Sequence, residues 1–363
     1  MKSLFRISRA KITVGLLIGI GLLFLISRFV NISTTLYVLQ HNLATPRGIL
    51  LALLSGIAFL LAFSIRGIRW KLFLHPVVGD KVSTFKAIQL FLVSVFLNFL
   101  LPIQGGELAK SLMLKRIADI PISRSLPTVA MDRSLDLMPA LFIITILPLL
   151  GIHMDIKLWL VLGLVVGLLI GLIFLVGLAA WNREVAIVFL QKITKLLPRA
   201  IGDKIEGFAT NFVDSLLLGA SRPRIFLLAI LLTCIALTFD GAFAMLAFWT
   251  IGYYIPFSYA IFGYTVYNMF NILPTPPGQV GTNEAVGLFV FVGLLHLQSR
   301  TNVLAMFVFS HLWAALIMTT TGILCLSALG LTIPKVMKGQ PEESDAASED
   351  VPLPEREKEL SRK

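Results

Sequence analysis

The chain has 363 residues, of which 57% are hydrophobic and 14% charged, and its mean hydropathy is +0.87. A soluble domain of this size does not bury so much apolar surface, so the composition predicts an all-α, polytopic membrane protein and excludes an ordinary soluble enzyme. The formal net charge is +11, and both cysteines lie inside apolar runs, which argues against a disulfide framework or a metal site.

Six apolar runs are long enough to cross a membrane, because about 20 apolar residues span a ~30 Å hydrocarbon core. In chain order they are 12–30, 48–65, 126–150, 158–180, 225–249 and 303–331. The first follows a basic N-terminus and resembles a signal peptide. It is too long for one and lacks a small-residue cleavage site, so we interpret it as a retained signal anchor.

Two shorter apolar pairs lie between these runs, 85–101 with 107–118 and 257–273 with 284–297. Each pair breaks at Leu-Pro, crosses a glycine-rich stretch and resumes at a glutamate. We interpret each as a re-entrant hairpin, since broken backbone at membrane depth is tolerated only where protein or water surrounds it. Interrupted segments at matching places in two halves are the best sequence indication of a transporter's substrate site.

The distribution of basic residues supports this topology. With the N-terminus inside, the segments 1–11, 66–125, 181–224 and 332–363 hold 26 of the 31 lysines and arginines. Cytoplasmic segments are expected to carry this excess. The hairpins then enter from opposite faces, as inverted repeats do, with coincidence of two breaks as the alternative.

The predicted organisation is a membrane domain over residues 1–339 and a disordered cytoplasmic tail over 340–363, which is polar and charged. Within the membrane domain we predict a first repeat over 12–180 and a second over 225–331. The segment 181–224 between them reads as a cytoplasmic linker with amphipathic, basic stretches that suit an anionic leaflet.

The densest group of ionisable residues within an apolar run is Asp132, Arg133 and Asp136. Ionisable groups inside spans mark function by default. Arg133 either holds an anionic headgroup, with phosphate best suited to its fork, or forms a structural ion pair near the interface. Asp240 lies deep in another run, and it either pairs with Arg133, carries a proton or stays protonated.

Glu107 and Glu284 each follow a break and fall in the first turn of the next helix. An acid there either caps the helix or takes part in function, and its recurrence in both motifs favours function. Lys110, one turn after Glu107, is either a phosphate contact or the partner of that carboxylate. Asn98 and Asn271 precede the breaks and suit hydrogen bonds to backbone carbonyls that the breaks set free.

The glycine-rich stretches themselves suit an anion. Gln104 and Gly106 in the first, and Gly281 and Asn283 in the second, place backbone N–H groups where a phosphate can be cradled. Glycine-rich breaks are a weak signal alone, so these four residues are candidates only together with the charged groups.

The segments 101–107 (LPIQGGE), 132–136 (DRSLD) and 273–285 (LPTPPGQVGTNEA) resemble the motifs of the flippase-like integral membrane family. That family includes the membrane region of the bacterial lysylphosphatidylglycerol synthetase/flippase and stand-alone proteins linked to lipid or hopanoid transport. The resemblance covers roughly residues 10 to 332. Lys110 stands where the family pattern leads us to expect arginine, Asp132 where glutamate is common, and 277–279 where a double glycine is more usual.

The resemblance implies a lipid translocator, not an enzyme, in the bacterial inner membrane and without a cofactor. The distribution of basic residues predicts that both termini are cytoplasmic. The translocator's substrate would be a polar-headed membrane lipid of phospholipid, polyisoprenoid or hopanoid type. A homodimer or a partner lipid-synthesis enzyme is compatible with it, and nucleic acid is not. Two alternatives remain, namely a scaffold or regulator of an envelope-synthesis enzyme and a polytopic glycosyltransferase that uses a lipid-phosphate donor.

Overall fold

The computed structural model describes residues 32–100, 105–145, 223–270, 277–279 and 281–332, together with nine isolated helical positions between 156 and 188. No strand occurs among them, so the all-α fold class is confirmed. The α-helices, numbered among the described residues, are α1 Ile32–Leu43, α2 Pro46–Val78, α3 Thr84–Leu100, α4 Gly105–Ala118, α5 Ile122–Thr145, α6 Pro223–Thr250, α7 Phe257–Phe270, α8 Thr282–Leu288 and α9 Arg300–Ala328. A π-helical turn, Phe289–Leu294, continues α8.

The described helices include three that are long and apolar enough to cross a membrane, Pro46–His75, Arg224–Thr250 and Arg300–Ala328. They contain or closely match three of the six predicted spans, and the protein is a helical membrane bundle. The predicted span 126–150 begins inside α5 and continues past its described end. The spans 12–30 and 158–180 lie outside the described residues, apart from isolated positions. The full number of crossings therefore stays a prediction.

Helix α2 is longer than the predicted span 48–65. It begins where the Thr45 hydroxyl accepts the N–H of Gly48 at 3.0 Å, with Pro46 at the first helical position, and it ends at Gly79, whose φ is +58°. The helix thus extends well beyond the apolar run and includes residues that the charge distribution had placed in a cytoplasmic segment.

The two predicted hairpins correspond to pairs of short helices that pack on each other. Helix α4 begins so close to α3 that a Cβ on Gly106 would lie 2.0 Å from the Ser94 carbonyl oxygen. In the second pair, a Cβ on Gly263 of α7 would lie 2.5 Å from the ring of Phe291 in the π-helical turn. Glycine at both positions lets the two arms approach closely. The side from which each pair enters the membrane stays a prediction.

The helices fall into two sets with the same order, long, short, break, short and long, namely α2–α5 and α6–α9. The first helices of the sets pack against each other. Phe59 contacts Phe243 at a ring-centroid distance of 5.2 Å, and further along α2 Arg69 donates to Thr233 at 2.9 Å. Rising numbers on α2 meet falling numbers on α6, so these equivalent helices run antiparallel, as inverted repeats require. The predicted repeat boundaries, 12–180 and 225–331, stay predictions.

The residues next to the two breaks meet at α9. Phe99, near the end of α3, has its ring 6.0 Å from that of His311, and His311 Nε2 lies 2.7 Å from the carbonyl oxygen of Gly278. Pro102 and Pro274, which we predict at the hairpin tips, lie outside the described residues. The flanking contacts bring both breaks to the same helix.

The two largest apolar clusters among the described residues hold much of the bundle together. One, around Phe248, Phe291 and Phe307, joins α6 to the second hairpin and α9. The other, around Trp70 and Phe91, joins α2 to the first hairpin. Ionisable side chains lie beside the second core.

Candidate functional site

Eight ionisable side chains from four helices form a continuous cluster of ion pairs, which we call the charge cluster. Its members are Arg66 and Arg69 of α2, Glu107 and Lys110 of α4, Asp132, Arg133 and Asp136 of α5, and Asp240 of α6. With four basic and four acidic groups, its formal charges balance. Ionised groups inside a membrane protein are costly, and mutual pairing is what makes such burial tolerable.

Arg69 lies at the centre of the charge cluster, and its side chain is fully buried. Its Nη2 lies 2.7 Å from a carboxylate oxygen of each of Asp132 and Asp136. Its Nε donates to Asp132 at 2.8 Å, and its Nη1 donates to the hydroxyl of Thr233 on α6 at 2.9 Å. The two carboxylates lie one turn apart on one face of α5, as their spacing of four predicts, and one guanidinium bridges them.

Lys110 is also fully buried. Its Nζ lies 3.0 Å from Glu107 and 3.6 Å from Asp132, and 4.0 Å from the ring centroid of Phe91. Of the alternatives that the sequence left open for Lys110, the structure contains the pairing with Glu107. Cation–π contact with Phe91 adds to the stabilisation of this ammonium group.

Glu107 joins the first hairpin to α5. Its carboxylate pairs with Lys110 and with the guanidinium of Arg133, and it accepts a hydrogen bond from Asn98 Nδ2 at 2.9 Å. Asn98 Oδ1 in turn accepts the N–H of Gly106 at 2.8 Å. Asn98 therefore satisfies a backbone N–H group, not a carbonyl as we expected, and the Gly106 N–H is engaged within the protein.

Asp240 pairs with Arg66, not with Arg133 as one sequence alternative had it. Arg66 Nη1 donates to Asp240 Oδ1 at 3.2 Å, Nη2 bonds to the second carboxylate oxygen, and Nε lies 3.8 Å from Asp136. The two side chains of the pair are 12% and 7% exposed, and they join α2 of the first set to α6 of the second.

Arg133 is the most accessible member of the charge cluster, with 38% of its side chain exposed. It pairs with Glu107, and its Nη1 lies 3.4 Å from Asp136. Its Nε is buried and has no hydrogen-bond partner among the described residues, so solvent reaches Arg133 through the rest of its side chain. Arg133 is therefore the member of the charge cluster that is most open to a ligand.

A second acid–base pair lies beside the break of the second hairpin. His311 of α9 places Nδ1 2.8 Å from Glu284 Oε1 and Nε2 2.7 Å from the Gly278 carbonyl oxygen. The preceding residue, Asn283, accepts the hydroxyl of Tyr267 at 2.7 Å. Glu284 and Asn283 are both buried. This site is therefore closed to solvent, whereas Arg133 at the edge of the charge cluster is partly exposed.

The two sites occupy equivalent places in the two sets. In each, a carboxylate in the first turn of the second short helix, Glu107 or Glu284, pairs with a basic side chain of the following long helix. Arg133 and His311 are both eleven residues beyond the first residue of their helices, at 122 and 300. The correspondence between the sets thus extends to the chemistry of their ion pairs.

The remaining candidates are Gly281 and Gln104. Gly281 lies directly before α8 with φ +78°, a conformation that favours glycine, and Gly278 in the same break has φ +69°. Gln104 lies outside the described residues, as does Asn271.

Sequence reasoning missed Arg66, Arg69 and His311. The first two follow the apolar run 48–65 directly, and their spacing of three, which puts both on one face of a continued helix, was the available signal. His311 has no ligand-type spacing to any other histidine. The signal that points to it is its position eleven residues beyond the start of its helix, which matches the position of Arg133 in α5.

Comparison with known proteins agrees with this architecture. The family described as the lysylphosphatidylglycerol synthase TM region matches residues 12–322. A UPF0104 membrane protein of Methanothermobacter thermautotrophicus is 23% identical over 245 residues, which are 62% of this chain and 70% of that relative. No solved structure matches. Because the family match extends over most of the sequence, the chain belongs to the family of the lysylphosphatidylglycerol synthase transmembrane region.

Proposed function

We propose that this protein moves a polar-headed lipid between the two leaflets of a bacterial inner membrane, with both termini cytoplasmic. The observation that carries the proposal is the charge cluster, which is balanced, buried at the contact between two oppositely running helix sets, and open at Arg133. The family name supports a lipid as substrate, since it refers to the membrane region of a protein that makes lysylphosphatidylglycerol.

Arg133 is the residue that we assign to the lipid headgroup. A guanidinium donates two parallel hydrogen bonds to a phosphate as readily as to a carboxylate. Its present partners, Glu107 and Asp136, are both acidic. A headgroup phosphate entering here exchanges with these carboxylates, so the charge of Arg133 stays compensated while the lipid passes. A headgroup amine, where present, finds the same two carboxylates.

A change of partner at Arg133 affects the second helix set as well, because the charge cluster joins the two sets. Glu107 contacts Arg133 and Lys110 in the first set, and Asp136 connects through Arg66 to Asp240 in the second. Altered pairing at Arg133 therefore changes the electrostatic contact between α2 and α6. Movement of inverted repeats against each other is the usual basis of alternating access.

Lipid movement in reconstituted vesicles tests this function. The protein is placed in phosphatidylethanolamine–phosphatidylglycerol vesicles that carry fluorescent phosphatidylglycerol, and the probe reaching the outer leaflet is quenched with dithionite. A panel of probes with other headgroups then defines selectivity. Folded wild-type protein that moves none of them contradicts the proposal and favours a scaffold or regulatory role.

The variant Arg133→Lys tests the assigned residue. It keeps the charge but loses the fork, and we expect about a tenfold or greater loss of rate, equivalent to ~1.4 kcal/mol or more of activation free energy. Arg124→Lys is the matched control, since Arg124 is an exposed arginine in the first turn of the same helix. Equal rates for the two variants would exclude Arg133 as the headgroup contact.

A further inference from the structure

The ring of His311 lies between two oxygen atoms. Its Nδ1 is 2.8 Å from Glu284 Oε1, and its Nε2 is 2.7 Å from the Gly278 carbonyl oxygen. A carbonyl oxygen and an ionised carboxylate only accept hydrogen bonds, whereas a neutral imidazole has a single N–H to donate. One of the two short contacts therefore needs an additional proton.

Two arrangements supply that proton. Either the ring is an imidazolium that donates to both oxygens, or Glu284 is a carboxylic acid that donates to Nδ1 while Nε2–H donates to Gly278. In both arrangements the pair holds one proton more than a neutral imidazole and a carboxylate. The observed geometry is thus that of a proton-loaded pair, whichever atom carries the proton.

The first helix set differs at this point. The equivalent pair, Glu107 with Arg133, contains a guanidinium that stays charged at any physiological pH. Histidine is the side chain whose ordinary titration falls between pH 5 and 8. Of the two equivalent ion pairs, the second is therefore the one whose formal charge changes with its proton content.

The surroundings favour a single binding site for the proton. Glu284 is 5% exposed, and its Oε2 is buried without a hydrogen-bond partner among the described residues. Around the pair, α7 contributes Tyr267, whose hydroxyl donates to Asn283, and α3 contributes the ring of Phe99. Among the described residues, the titratable groups around the pair are thus Glu284, His311 and Tyr267, and Glu284 is the charge partner of His311.

Resting on the lipid translocation proposed above, we infer that Glu284 and His311 form a proton-binding site that couples lipid movement to a proton gradient. The bound proton ties Gly278, within the second break, and Glu284, in the first turn of α8, to His311 of α9. When the proton leaves, one ring nitrogen of His311 has no hydrogen and faces an oxygen that can only accept a hydrogen bond. That contact is then lost. Gly278 and Glu284 are then no longer both tied to α9, while the ion pair of the first set remains.

The test uses the full-length protein in the vesicles described above, with fluorescent phosphatidylglycerol as probe and the membrane potential clamped by potassium and valinomycin. A pH difference of one unit is imposed. If one proton accompanies each lipid, the probe becomes enriched about tenfold in one leaflet at equilibrium, since one pH unit corresponds to one factor of ten.

Three substitutions distinguish the effect of the bound proton from the effect of the hydrogen bonds. Glu284→Gln offers an amide N–H to Nδ1, His311→Gln keeps a neutral donor and acceptor, and His311→Arg copies the fixed charge of the first set. We expect at least one to fold and to equilibrate the probe between leaflets without enrichment. The control, His41→Gln, replaces an exposed histidine stacked on Tyr37 and should keep the wild-type enrichment.

The outcomes distinguish two kinds of failure. Wild-type protein that moves the probe but ignores the pH difference overturns the coupling and leaves the proposed function standing. Folded wild-type protein that moves no probe overturns both. Folded Gln variants that still enrich the probe tenfold place the coupling proton elsewhere and overturn the assignment to this pair.

Discussion

The pair between Arg66 and Asp240 gives the sharpest prediction about stability. Asp240→Asn removes a carboxylate that accepts two hydrogen bonds from one guanidinium and leaves Arg66 with Asp136, whose oxygen is 3.8 Å from Nε. The paired side chains are 12% and 7% exposed, so water screens the pair little. Asparagine keeps one acceptor oxygen, so at most one of the two hydrogen bonds survives, and it then goes to a neutral group. The buried guanidinium loses its nearest charge partner, for which the typical cost is ~3–5 kcal/mol.

We therefore expect Asp240→Asn to lower the free energy of unfolding by ~3–5 kcal/mol. The measurement is helix loss, followed by circular dichroism, as sodium dodecyl sulfate is titrated into detergent-solubilised protein. The double variant Arg66→Met, Asp240→Leu removes both charges, and it should recover most of the loss because neither group is left unpaired.

The matched control is Arg47→Gln, which removes an exposed arginine whose guanidinium lies 5.3 Å from the ring centroid of Tyr254. We expect a loss of about 0.5–1 kcal/mol there, the usual strength of an exposed cation–π contact. A loss below about 1 kcal/mol for Asp240→Asn would show that the pair acts like a surface salt bridge and would refute the reasoning.

Two further predictions concern the first hairpin. Gly106→Ala puts a Cβ 2.0 Å from the Ser94 carbonyl oxygen, so we expect α4 to shift and the free energy of unfolding to fall by ~1–3 kcal/mol. The control in the same unfolding assay is Gly293→Ala, whose new Cβ would lie no closer than 3.7 Å to a neighbouring atom. Lys110→Met removes the buried ammonium between Glu107 and Asp132 and should destabilise the protein by ~3–5 kcal/mol. Full stability with lost lipid movement would instead assign Lys110 to the headgroup.

Much of the architecture follows from local patterns. The Leu-Pro breaks followed by Glu107 and Glu284 predicted the pairs of short helices, because a proline next to a glycine-rich stretch is a strong local helix breaker. A lone proline is a weaker signal, since α5 continues through Pro127 and Pro139. The spacing of Asp132 and Asp136 likewise predicted a shared helix face. These inferences rest on backbone geometry, which the sequence specifies within a few residues.

The ion pairs themselves were less predictable, since they depend on how distant helices meet. Arg69 binds Asp132, which is 63 residues away, and no spacing rule reaches that far. Arg66 and Arg69 looked like basic residues at a membrane boundary because the apolar run stops at residue 65, yet α2 continues to Val78. His311 gained its role from the packing of α9 against a break that comes 33 residues earlier.

The link between Arg66 and Asp240 also has a consequence for biosynthesis. The two residues are 174 positions apart, so at ribosomal speeds of about 5–20 residues per second the arginine enters the translocation machinery roughly 10 to 35 s before its partner is made. During that interval the guanidinium of newly made α2 has at most Asp136 of the first set, 3.8 Å away in the finished fold, as a charge partner, and lipid does not accommodate it cheaply. We therefore expect nascent α2 to stay beside the insertion machinery or near the lipid headgroups until Asp240 has been made.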